Sequence, residues 1–167
     1  MKKVKKKKVK KPKKVNKAKL VRKLKKQNFD LWSKCVRLRD KRCIICGSTE
    51  NLQAHHCFVR AAASLRARFV PDNGITLCYK CHLIEIHRNG EKRFFEKYIK
   101  ALDDRVPYFR QQEIYRIAEN DAPVTLEELQ DINTYLKNLL QELQDVEIKK
   151  EVQDVEIKKE VLPLIVV

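Results

Sequence analysis

The chain has 167 residues, with 38 lysines and arginines against 22 aspartates and glutamates, for a formal net charge of +16. No stretch approaches the ~20 consecutive apolar residues that span a bilayer, so no membrane-spanning helix is expected, and the basic surplus calls for a polyanionic partner. The length suits one modest domain with appendages rather than several domains.

The charge is concentrated at one end. Residues 1–29 hold fifteen lysines, Arg22 and no acid, which leaves 22 basic residues to balance 22 acidic ones in the remainder. Runs such as Lys5-Lys6-Lys7-Lys8 repel themselves, so residues 1–27 are expected to form a disordered, lysine-rich tail suited to a polyanion. A secretory leader needs an apolar core of roughly 7 to 15 residues, and the longest apolar run before Phe29 is Leu20-Val21. A cytoplasmic location is therefore expected.

Residues 28–143 form the expected domain. Phe29, Trp32, Val36 and Leu38 recur at nearly helical spacing and predict a helix over 29–39. Short strands are predicted over 51–58 and 74–77. The arm between them carries Arg60, Arg66 and Arg68 with no acid before Asp72, a natural surface for phosphates to which Lys80 adds a fourth cation. A helix should follow from about Tyr79 to Ile86 and end at Asn89-Gly90, with further helices over 91–102 and 108–118. The last helix is the clearest. Thr125-x-x-Glu128 is a capping box, and Leu126, Leu129, Ile132, Leu136, Leu139, Leu140 and Leu143 form a stripe behind it. That stripe either packs on the domain, the preferred reading, or pairs two copies into a homodimer. Residues 144–167 contain a tandem nine-residue repeat, Gln144–Val152 and Gln153–Val161, whose period fits neither a heptad nor a strand.

All six cysteines and four histidines lie between Cys35 and His87. Cys43-x-x-Cys46 and Cys78-x-x-Cys81 are two knuckles with the spacing of a four-thiolate structural Zn²⁺ site. Such an ion contributes an apparent ~10 to 16 kcal/mol, as much as the whole net stability of a typical domain. Thiolate ligands also need a reducing compartment, in keeping with a cytoplasm. Cys35 and Cys57 lie outside the knuckles and read as small buried hydrophobes.

Taken in order, Cys43-Ile-Ile-Cys46, His55-His56, Asn73, Cys78-Tyr-Lys-Cys81 and His82 resemble the HNH endonuclease superfamily. The stretches Val36–Lys41 and Ser64–Phe69 are similar to phage recombination endonucleases of the Rap/NinG type, which cut branched DNA. The resemblance implies an α+β fold: a small, zinc-stabilised ββα-metal core with flanking helices. It implies a metal-dependent DNA endonuclease that hydrolyses phosphodiester bonds, on branched or recombination-intermediate DNA. His55 and His82 would hold a catalytic cation, Mg²⁺ or Mn²⁺; His56 would be the general base; and Asn73 would orient that base and tie down its loop. Neighbours on a strand face opposite sides, so His55 and His56 must do different jobs. His87, five residues past His82, lies about 140° around a regular helix and reads as a phosphate contact or surface residue. The rival reading is a non-catalytic zinc-containing nucleic-acid-binding protein that keeps the fold without the chemistry.

Overall fold

A computed structural model of the chain describes residues 16–89 and 92–161. Helix α1 spans Lys17–Asp40, with Asn16 as N-cap accepting from the Lys19 amide at 3.2 Å. It ends where Lys41 turns left-handed, at φ 62°. No proline or glycine occurs between Pro12 and Gly47, and Leu, Lys and Arg are good helix formers. The helix therefore starts well before Phe29, which corrects the expected tail: residues 17–27 are helical. Residues 1–15 of that tail lie outside the described residues.

Leu24, Asn28, Trp32, Cys35 and Val36 form the buried face of α1. Against it runs α4, Leu126–Val161, started by the expected capping box, with Thr125 N–H to Glu128 Oε2 at 2.7 Å and Glu128 N–H to Thr125 Oγ1 at 3.1 Å. Leu129 and Leu136 are fully buried against α1, and Leu126, Ile132, Leu139, Leu140 and Leu143 flank them. The leucine stripe thus packs within the chain, the reading the sequence favoured. The two helices run parallel: Asn28 meets Leu129 and Asn133, Cys35 meets Leu136, and Lys41 pairs with Glu147. Asn28 donates to the Leu129 carbonyl at 2.9 Å and accepts from Asn133 at 2.7 Å. A buried amide pair of this kind is satisfied in only one register, so it fixes how the helices slide.

The nine-residue repeat is not a separate tail in the structure, because both copies continue α4. Nine residues advance a helix by about 900°, half a turn out of phase. On that count a nine-residue repeat does not keep its apolar positions on one face of a helix, so the period itself specifies no continuous stripe.

Strands β1 (Leu52–His56) and β2 (Gly74–Cys78) pair antiparallel, from Leu52 opposite Cys78 to His56 opposite Gly74. Gln53, His55, Ile75 and Leu77 share one face; Ala54, His56, Gly74 and Thr76 share the other. The outer edge of β2 is closed by Asp40, which accepts from Thr76 N–H at 2.8 Å, and by Ile44, which donates to the Thr76 carbonyl at 3.0 Å. Asp40 also accepts from Arg39 and Arg105, joining α1, the sheet and α2 (Lys92–Arg105) through one buried carboxylate. Two 3₁₀ turns, Ala67–Phe69 and Pro71–Asn73, shape the arm between the strands, and α3 (Tyr108–Ala118) packs against them.

After β2 comes the main departure from expectation. Residues Lys80–Asn89 form a π-helix rather than an α-helix; Gly90 of the expected stop lies outside the described residues. A π-helix bonds i to i+5, so a residue five positions on returns to about the same face. The helix lies on the His55 face of the sheet, and α1 covers the other.

Candidate functional site

The two knuckles meet as the spacing requires. Cys43 N–H donates to the Ser48 carbonyl at 2.8 Å and Gly47 N–H to the Cys43 carbonyl at 2.9 Å, a turn that Gly47 completes at φ 75°. Cys78 ends β2, Cys81 opens the π-helix, and the Cys81 amide points at Cys78 Sγ at 3.5 Å. All four sulfurs lie within 4.8 Å of one another, with Cys46 and Cys78 3.6 Å apart. A tetrahedral ion with Zn–S near 2.3 Å needs sulfurs about 3.8 Å apart. Burial, then repulsion from Cys43, pushes the Cys81 thiol far above its ordinary range. Four thiolates this close would repel one another, and a divalent cation removes that obstacle. The donor set, its spacing and its electrostatics fit a structural metal such as zinc.

A second cluster stands on the sheet face beside it. His55 from β1 and His82 and His87 from the π-helix bring one ligand atom each within 4.8 Å of one another. The ring centroids of His55 lie 4.8 Å from His82 and 5.4 Å from His87. His87 is the residue that the sequence reading set aside. In an α-helix it would point away, and the π winding carries it back over His82.

Burial, then the neighbouring His82 and His87, pushes the His55 pKa down to about 3. Burial likewise lowers His82. Both shifts favour neutral His55 and His82 rings, the form that binds metals. Gln53, two residues before His55 and on the same face, accepts from His82 Nδ1–H at 2.6 Å. That bond leaves the His82 Nε2 lone pair free and fixes the ring, as partners behind metal-binding histidines do. The period of two in β1 was the available signal for Gln53. Tyr98 of α2 is buried with its ring edge-on to His55, centroids 6.1 Å apart.

His56 is on the opposite face. Its ring lies flat on Trp32, centroids 3.9 Å apart and planes 10° from parallel, and Phe29 stacks at 6.3 Å. Gly74 stands across from His56 in the register, and Trp32 occupies the space a side chain there would take. His56 Nε2 is 2.9 Å from the Arg68 carbonyl. A carbonyl only accepts, so Nε2 carries the proton and Nδ1 the lone pair. Burial also lowers the His56 pKa, against the opposing effect of that hydrogen bond.

Asn73 is fully buried and uses all its hydrogen-bonding capacity: Oδ1 accepts from Phe58 and Val59 N–H at 3.1 and 2.9 Å, and Nδ2 donates to the Val59 and Ala67 carbonyls at 2.8 and 3.0 Å. It ties down the arm as expected. It reaches His56 only through the backbone, since Ala67 precedes the carbonyl that holds the imidazole.

The expected phosphate contacts divide. Arg60 and Lys80 are exposed. Arg66 is not available: its guanidinium is bidentate to Glu128 at 2.9 to 3.2 Å and donates to the Asn120 and Ala122 carbonyls at 3.1 and 2.6 Å. That corrects its assignment to DNA, because those bonds pin the arm to the start of α4. Arg68 pairs with no acid among the described residues, and its guanidinium sits 5.1 Å over the Phe29 ring. Its Nε is buried without a partner. Cys35 is buried with Sγ 3.4 Å from the Leu136 carbonyl, the small core residue expected of it.

Among the described residues, no helix is long and apolar enough to cross a membrane. No curated protein and no solved structure matches the chain. A family model does, over residues 1–147: the chain belongs to the family described as bacteriophage lambda NinG protein, a phage recombination-associated family.

Proposed function

We propose that the chain is a divalent-metal-dependent endonuclease of the HNH type that acts on DNA, with branched recombination intermediates as its substrate. The observation that carries this reading is the convergence of His55, His82 and His87 on one sheet face, with a proton-accepting histidine at the end of the same strand. Two short strands followed by a helix bear all of these groups, the arrangement the HNH resemblance implies.

In this reading His55, His82 and His87 would hold the divalent cation; of the expected Mg²⁺ and Mn²⁺, three imidazole nitrogens suit the transition metal better. When bound, it offsets the charge of the scissile phosphate and stabilises the leaving oxygen. His56 accepts the proton of the attacking water at Nδ1, the nitrogen left free by the bond from Nε2 to Arg68. Trp32 holds the plane of that ring and the Arg68 carbonyl its tautomer. Asn73 keeps the carbonyl in place through the arm. Arg68, which pairs with no acid among the described residues, would meet a phosphate oxygen. The Cys43, Cys46, Cys78 and Cys81 site fixes β2 and the first turn of the π-helix, and so places His82.

The non-catalytic reading is favoured by one observation: His56 is packed flat on Trp32, away from the His55 face. Cleavage of linear duplex, branched DNA and RNA with added Mg²⁺ or Mn²⁺ separates the two. His56→Ala is expected to lose about 10² to 10⁴ in rate with DNA affinity kept. His82→Ala and His87→Ala are each expected to weaken metal binding, with partial recovery in excess Mn²⁺. Absence of metal-dependent cleavage on every substrate would leave the binding-protein reading.

A further inference from the structure

Arg68, at the edge of the site, leads onto a surface of α1 that the site itself does not use. Its guanidinium lies over Phe29 of α1, which stacks in turn towards His56. Phe29 belongs to a series on α1: Arg22, Lys25 and Lys26 precede it by seven, four and three residues, the spacing that puts side chains on one flank of a helix. All three are exposed. The sheet meets α1 at Trp32 and Val36, and α4 packs on the neighbouring stripe through Leu24, Asn28 and Cys35. The flank that carries Arg22, Lys25 and Lys26 is thus covered by neither, and it leads straight to the Phe29–Arg68 contact. Among the described residues none of these three lysines and arginines pairs with an acid.

We propose that this flank of α1, from Arg22 through Lys25 and Lys26 to Arg68, is a track for consecutive phosphates of one DNA strand that delivers the backbone to the His56 end of β1. The proposal rests on the nuclease reading for its direction and extends it with residues that composition alone assigns to a featureless tail. The chemistry is that of phosphate positioning. Lysine and arginine supply charge without reading bases, and Phe29 stiffens Arg68 by cation–π contact so that less side-chain freedom is lost on binding. Rise along a helix is about 1.5 Å per residue, so Arg22 and Lys26 stand about 6 Å apart along the axis, a step that tracks a sugar-phosphate backbone.

The test compares two full-length, zinc-loaded triple variants. R22Q/K25Q/K26Q removes the track. K23Q/K34Q/K137Q removes the same charge from exposed lysines off that flank. DNA affinity is measured by fluorescence anisotropy over a salt series, without added Mg²⁺ or Mn²⁺, so the result is independent of cleavage. Each lost phosphate contact lowers the slope of log K against log salt by about 0.9. The track variant is expected to lose about 2 to 3 from the slope and the control less than about 1, with thermal melts of both unchanged. Equal slope changes in the two variants would overturn the track and leave a diffuse charge effect. A slope difference on RNA that matches or exceeds that on DNA would overturn the DNA assignment. A slope difference together with no cleavage on any DNA supports the track while sinking the nuclease reading.

Discussion

Replacing Gly74 by alanine tests the link between the fold and the His56 side of the site. An alanine Cβ at this position would lie 2.5 Å from Cζ2 of Trp32 and 2.7 Å from Cγ2 of Val36, both on α1 and both fully buried. Ordinary carbon contacts lie near 3.5 to 4.0 Å, so the indole must move by about 1 Å or the strand must leave the helix. Overpacking of this kind costs about 1 to 3 kcal/mol. Alanine recovers about 0.4 to 1 kcal/mol by narrowing the unfolded chain relative to glycine. The midpoints of those ranges leave a net loss of about 1.3 kcal/mol, or roughly 3 to 5 °C in Tm for a chain of this size. The same displacement separates the indole from the imidazole that stacks on it at 3.9 Å. G74A should therefore shift the His56 ring resonances in an NMR spectrum. Trp32→Phe removes the clashing ring edge, so G74A/W32F is expected to cost less than the sum of the single variants, with a coupling of about 0.5 to 3 kcal/mol. Additive losses, or an unchanged Tm and unchanged His56 resonances in G74A, would refute the close approach.

The zinc reading predicts about one equivalent of Zn²⁺ in the purified protein, with Cys→Ser at Cys43, Cys46, Cys78 or Cys81 loosening the fold; less than half an equivalent with the fold intact refutes it. Arg66→Ala is expected to lower stability by about 1 to 3 kcal/mol while leaving the salt dependence of DNA binding unchanged, since its donors serve Glu128, Asn120 and Ala122; a fall in the salt slope by about 0.9 would return it to the DNA surface. Burial tends to raise the Asp40 carboxyl, but Arg39 and Arg105 outweigh it and hold its pKa below the ordinary carboxylate value. A depressed pKa stabilises the fold above the unfolded value, about 4, and that contribution disappears as pH falls through the folded value. Urea melts of wild type and Asp40→Asn should therefore differ most at pH 6 to 7 and converge in acid; a gap that widens on acidification refutes the assignment.

The sequence showed most plainly what depends on local spacing. The knuckles, the capping box at Thr125, the bounds of α3 and the presence of short strands near 51–58 and 74–77 all follow from residues close in sequence or from ligands of fixed geometry. The start of α1 was missed because charge was read as disorder. Its lysines lie on the outer flank, and the burial of Leu24 and Asn28 depends on α4, a hundred residues away. The same reasoning applies to Arg66, whose partner Glu128 is 62 positions on and invisible to any local pattern.

His87 shows why the histidine cluster could be only partly read. The 140° offset from His82 holds for an α-helix, and nothing in Lys80–Asn89 announces a wider winding. What the sequence did contain was Cys78-x-x-Cys81 running directly into His82. A metal held by those thiols anchors the last residue of β2 and the first turn of the following helix, so it sets the direction in which that helix leaves the sheet. The π winding then determines which later residue returns to His55. In an α-helix that residue would be near Ile86, and here it is His87. Both clusters thus depend on one stretch of backbone, Cys78 to His87, in which the sulfurs fix the start and the winding selects the third nitrogen.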